Sequence, residues 1–161
     1  MSWQGRARIM PIGSSAERQD MSESGGEVRH IEQYQSGYAN LIGYKLRAKA
    51  TGYVELELMI EAKHLNRLHV PHGGVLATLI DTATGYAVAL AQGPERILPA
   101  VTISLSMQFL GQAKTGDVLV AIGRHIGGGR TIGYATAEVR GADGRAIARG
   151  DATFRFLSQK S

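Results

Sequence analysis

From residue 31 onward the apolar positions fall into periodic blocks. Ile31, Tyr34, Tyr38 and Leu41 recur at spacings of three and four, which predicts a short helix that Gly37 weakens. Two strand-like runs follow, at 43–50 and 53–60, parted by Thr51-Gly52, a two-residue hairpin signal. After a loop over 64–71, the apolar run at 73–91 is too long for a strand and lacks β-branched bias, so it predicts a helix. Pro71 stands just ahead of that helix and Gly93-Pro94 just beyond it. Four more strands are predicted at 100–110, 117–126, 131–140 and 145–156, the last three separated by Gly127-Gly128-Gly129 and Gly141-Ala142-Asp143-Gly144. Hairpin-length connections make the sheet antiparallel, and one long, largely apolar helix needs cover on most sides. The expected class is therefore α+β, an antiparallel sheet wrapped around one long central helix, formed as a single unit by residues 31–161. Residues 1–30, rich in Ser, Gly, Arg and Glu, show no apolar period and are expected to be a loosely ordered tail.

Composition narrows the chemistry. The 161 residues include no Cys, which excludes a disulfide scaffold, a thiolate-held metal site and a thiol nucleophile, and agrees with a reducing, cytoplasmic setting. Met1–Ser24 lacks the continuous apolar stretch of a secretory leader. The longest apolar stretch, Val75 to Ala91, is broken by Asp81 and Gly85 and is shorter than the roughly 20 residues of a membrane span. The net charge of +4 lies entirely in residues 112–161, where eight Lys and Arg face four Asp and Glu. These basic residues are spaced singly with few aromatics between them, which points away from nucleic acid. Solvated surface and a phosphate-bearing small molecule both remain open.

Asp81 is the only formally charged residue between Arg67 and Glu95. On a helix it shares a face with Gly74, Ala77, Thr78, Thr84, Gly85 and Val88, opposite a core stripe of Leu76, Leu79, Ile80, Ala83, Ala87 and Leu90. A carboxylate among small side chains is either a structural group bonded within the fold or a base or nucleophile beside a cavity. The second cluster is Asn66 to Gly74. Two Gly at a helix start can turn backbone N–H groups toward a ligand oxygen, the arrangement of an oxyanion hole. Gly73 and Asp81 are eight residues apart, about 12 Å along a helix axis, so one carbonyl cannot touch both in one chain. If both serve one reaction, the helix start and the acid come from different subunits. His64, His69, His72 and Asp81 match no usual zinc-ligand spacing, and no G-x-S-x-G elbow is present. The glycines at 127–129 miss dinucleotide spacing, although a hairpin tip bearing Arg130 could hold a phosphate.

The run His64-Leu65-Asn66, followed by Val70-Pro71-His72-Gly73-Gly74 and Asp81, resembles the PaaI-type branch of the hotdog-fold acyl-CoA thioesterases over about residues 35–157. The resemblance implies hydrolysis of an acyl- or aryl-CoA thioester to free acid and CoA, without metal or cofactor. It implies that Asn66 and the Gly73 N–H, next to His72, polarise the thioester carbonyl. Asp81 of the neighbouring subunit would then activate water or attack directly, with Thr102 near that water. Phe109 to Lys114, Gly74, and Gly128, Gly129, Arg130 and Thr131 fall where relatives contact CoA. The implied assembly is a homodimer, commonly paired into a tetramer, without nucleic-acid or membrane partners. A non-catalytic acyl-CoA sensor is the alternative, which retention of Asp81 disfavours. A hydratase is a further one, which lacks the expected His on this helix.

Overall fold

The computed structural model describes residues 36–157, and the expected tail at 1–30 lies outside them. Helix α1 spans Gly37–Ile42. Strands β1 and β2 span Lys45–Ala50 and Tyr53–Met59, and a 3-10 turn spans Ala62–His64. The long helix α2 spans Gly73–Ala89, and strands β3 to β6 span Ala100–Phe109, Val118–Gly128, Ile132–Gly141 and Ala146–Phe156. The strands form one antiparallel six-stranded sheet in the order β1-β2-β4-β5-β6-β3. This is the α+β arrangement that the hydrophobic pattern predicts.

Three boundaries differ from that pattern for local reasons. The first helix starts at Gly37, with the Ser36 hydroxyl accepting from Ala39 N at 3.1 Å, so Gly37 sits in the first turn rather than interrupting a helix. The part of the predicted helix before Ser36 lies outside the described residues. Helix α2 ends at Ala89, before Gly93-Pro94, because Leu98 N reaches back to Ala89 O at 2.9 Å and Gly52 N bonds Leu90 O at 2.9 Å. These bonds occupy carbonyls that a longer helix would have used. Strand β4 runs on through Gly127 and Gly128 past a bulge between His125 and Gly127, with both glycines at φ near +150°.

The predicted stripe of Leu76, Leu79, Ile80, Ala83, Ala87 and Leu90 is buried; its first four residues pack with Val54, Leu56, Leu58, Leu119, Val139 and Ile147 from the sheet, and Ala87 with Ala135, Ala152 and Phe154. Burying each large aliphatic side chain contributes about 1.5–3 kcal/mol. The helix lies unusually close to the strands. A Cβ at Gly123 would sit 2.2 Å from Ala83 O, and one at Gly133 would sit 2.7 Å from Val88 Cγ1. A side chain at Gly123 forces the α2 backbone off the sheet, and one at Gly133 forces Val88 to shift. No helix among the described residues is long and apolar enough to cross a membrane.

Candidate active site

Asp81 lies midway along α2, half-buried, and Thr102 Oγ1 donates to its Oδ1 at 2.9 Å. Among the described residues no Lys, Arg or His pairs with Asp81, and no bond engages Oδ2. The acid is thus held at one oxygen and open at the other. It is neither locked to a cation nor fully immersed in solvent.

The contact with Thr102 depends on a defect in β3. In an unbroken strand, Thr102 would share a face with Ser104, Ser106 and Gln108, away from α2, while Leu105 and Met107 pack on the core. The pairing with β6 shifts between Thr102 and Ser104, leaving Ile103 as the extra residue of a bulge. Thr102 therefore pairs with Phe154, whose ring lies against Gly85 of α2. The bulge turns the hydroxyl inward to Asp81.

The predicted open face around Asp81 is narrower than its spacing implies. Thr84 and Val88 are fully buried; Thr84 Oγ1 donates back to Ile80 O and Asp81 O, and Val88 sits beneath Gly133. Phe154 fills the space over Gly85. Gly74, Ala77, Thr78 and Asp81 remain as the accessible stripe. Tyr38 from α1 reaches it: Thr78 Oγ1 donates to Gly74 O at 2.9 Å, so the Tyr38 hydroxyl donates to Thr78 Oγ1 at 2.7 Å.

At the start of α2, His72 is the N-cap and its Nδ1 accepts from Gly74 N at 2.9 Å. That bond assigns the ring proton to Nε2 and occupies the Gly74 N–H. Val75 N bonds His72 O, and the Gly73 N–H has no partner among the described residues. The Phe109 ring covers Gly73, with Cζ 3.1 Å from where a Cβ would stand. Asn66 folds its loop through Oδ1, which accepts from Leu68 N at 2.8 Å and Val70 N at 3.4 Å. Its Nδ2 has no acceptor among the described residues and stays available as a donor. His69 closes the same loop at φ 58°, the left-handed region.

The structure brings Asp81 to Thr102 and Gly73 to His72, Gly74 and Phe109, but it keeps these two groups on separate turns of an unbroken helix. It also sends the expected CoA-contacting segments to opposite ends of α2. Phe109 is at the Gly73 end. The Gly128-Gly129-Arg130-Thr131 tip is at the other, where Phe156 N bonds Thr131 O, Leu157 N bonds Pro99 O and Leu98 N bonds Ala89 O. Arg130 is exposed at that tip, and Lys114 is exposed in a turn whose backbone N bonds Asp117 Oδ2 at 3.0 Å. Sequence reasoning missed the Ile103 bulge, which an uninterrupted Val-Thr-Ile-Ser-Leu-Ser alternation conceals, and the Tyr38–Thr78 bond. His64, weighed in the sequence as a zinc ligand and as part of the motif, is instead buried and bonded within the fold at both nitrogens.

A thioesterase superfamily profile matches residues 68–148, half of the chain, so the protein belongs to that superfamily. Its enzymatic class is accordingly that of a thioester hydrolase. Acyl-coenzyme A thioesterase 13 of Homo sapiens is 29% identical over 106 residues, 65% of this chain and 74% of its own. The Escherichia coli PaaI protein of the phenylacetic acid degradation operon superposes with a TM-score of 0.73 at 24% identity, covering 82% of this chain and 92% of that one. The fold is therefore the hotdog fold. A Streptococcus pneumoniae thioesterase solved with coenzyme A superposes at 0.66 with 27% identity, over 73% of this chain and 88% of its own.

Proposed function

We infer that the protein hydrolyses an acyl- or aryl-CoA thioester at a site made by two copies of the chain. The observation that carries this is the state of Asp81, held by Thr102 at Oδ1, unpaired with any cation among the described residues and free at Oδ2. A structural aspartate would be expected to spend both oxygens within the fold. A base needs one oriented oxygen left open. The coenzyme A in the S. pneumoniae relative and the acyl-CoA name of the human one support the substrate class.

Two features support a site shared between subunits. Gly73 and Asp81 are separated by about 12 Å of continuous helix. Strand β3 is also a ten-residue sheet edge with Val101, Ile103 and Phe109 exposed, the kind of edge that a second copy covers. If two α2 helices lie antiparallel, the Gly73 start of one copy meets the middle of the other at Asp81, with that other copy's Arg130 tip beyond it. Both CoA-contacting segments then serve one substrate.

In this site Asn66 Nδ2 and the Gly73 N–H donate to the thioester oxygen. Each well-placed donor is worth about 3–4 kcal/mol once charge develops there. Asp81 Oδ2 takes a proton from water as the water oxygen bonds to the carbonyl carbon. The tetrahedral adduct collapses, the C–S bond breaks, and the thiolate of CoA recovers the proton from Asp81, releasing free acid and CoA. In the alternative, Asp81 Oδ2 bonds to the carbonyl carbon and expels CoA as its thiolate; water then cleaves the resulting anhydride to free acid and the Asp81 carboxylate, and one of the two protons released goes to the thiolate. Neither route calls on a metal or organic cofactor. Incubating the purified protein with a panel of phenylacetyl-, hydroxybenzoyl- and short- to long-chain acyl-CoA esters and a thiol reagent tests this. Steady CoA release is expected. Saturable binding without CoA release would instead identify an acyl-CoA sensor.

A further inference from the structure

We propose that His64 is a positioning residue for this reaction, holding the oxyanion donors in register by tying their loop to α1. The inference rests on the thioesterase reading above. The imidazole is 2% exposed and makes two bonds of opposite sense. Nδ1 accepts from Glu61 N at 2.9 Å, so the proton is on Nε2, which donates to Ile42 O at 2.7 Å. Ile42 is the last residue of α1, and its carbonyl is among those a helix end leaves without an intrahelical partner.

The main chain of the same residue carries the constraint onward. His64 O accepts from His72 N at 2.8 Å, which closes the loop at the residue before Gly73. Inside that closure Leu65 bridges Pro71, and Asn66 N bonds Val70 O at 2.8 Å. Asn66 is two residues beyond His64 along the chain, and Gly73 is one residue beyond the closing bond. Both donors therefore flank a loop that the His64 ring ties to Ile42 of α1, while Leu65 packs on the core and Gly73 opens α2. A shift of that anchor moves both donors against a carbonyl that the rest of the substrate holds in place.

Asn and Gln separate the two ring contacts. His64→Gln can place an N–H near the former Nε2 and keep the tether to Ile42 while giving up Glu61. His64→Asn can keep an acceptor near Nδ1 for Glu61 while giving up the tether. For folded proteins of matched thermal midpoint, His64→Asn is expected to lower kcat at least about tenfold, since misplacement of about 1 Å can cost up to 10²-fold. KM and inhibition by free CoA should stay within about twofold, because the displaced donors act on the thioester oxygen, which free CoA lacks. His64→Gln should recover kcat to within about threefold of the parent. Equal activity of both variants and the parent overturns the proposal. So does a kcat loss in Gln as deep as in Asn, or a loss residing in KM. If His64→Asn does not fold, the Gln variant alone decides: kcat near the parent sustains the tether, and a tenfold fall refutes it. Failure of the unmutated protein to release CoA from any ester refutes the thioesterase reading itself, a result distinct from every outcome above.

Discussion

Replacing Thr102 by Val probes the Asp81 site at its one observed bond. The substitution keeps shape and β-branching, so strand β3 and its bulge lose no packing volume, and any loss of stability comes from the bond to Asp81 alone. What disappears is the Oγ1–H donated to Asp81 Oδ1 at 2.9 Å. A hydrogen bond to a charged group is worth about 1.5–3 kcal/mol. Thr102 is exposed in the single chain, which favours the lower end. About 1.5 kcal/mol of lost orientation corresponds to a roughly tenfold fall in kcat. The decisive comparison is a double-mutant cycle read by single-turnover CoA release. In an Asp81→Asn background there is no carboxylate left to orient, so adding Thr102→Val should lower the rate by less than about twofold further. Full additivity of the two losses, or an unchanged kcat in Thr102→Val, would refute the idea that the threonine acts through the acid.

Further outcomes follow from the same geometry. Asp81→Asn keeps the side chain's shape and should lower turnover at least about 10²-fold while leaving CoA binding, measured by calorimetry, largely intact. Arg130→Ala at the exposed β4–β5 tip should chiefly raise KM in steady-state assays, and an unchanged KM removes Arg130 from the site. His69 sits at φ 58°, so His69→Val should lower stability by about 1–2 kcal/mol in denaturant melts, while His69→Gly should cost little. A Val variant as stable as the parent would show that the loop does not require the left-handed conformation.

Much of the fold is legible in the chain because its signals are local and mutually consistent. The six strands, their turns and the long helix follow from apolar periodicity and from Gly and Pro placement. Helix ends are less legible, since bonds from distant segments set them, as Leu98 N and Gly52 N do at the end of α2. The candidate site divides in the same way. Asp81 stands out because a lone acid on an apolar helix is conspicuous, and Gly73 because glycines mark a helix start. Thr102 is hidden to pattern reasoning: its strand alternates without a break, and only the pairing with β6 produces the bulge that turns it inward. It enters from the sequence through family resemblance alone. Gly73 and Gly74 look equivalent in the chain, yet the His72 cap takes the Gly74 N–H and leaves that of Gly73. The role of His64 depends on a carbonyl 22 residues away, which no local pattern registers.

The central claim is that one catalytic centre draws its acid and its oxyanion donors from different copies of the chain, and subunit complementation tests it most directly. Asp81→Asn removes the base. Asn66→Asp keeps the Oδ1 that folds the loop but replaces the donating amide by an acceptor. Each variant alone should be nearly inactive. Unfolding and refolding them together in equal amounts gives mixed dimers in which one of two sites is intact, so CoA release should recover to about a quarter of the parent's under a two-fold arrangement. Mixed dimers with no more activity than the separate variants would place both groups in one chain and contradict the account.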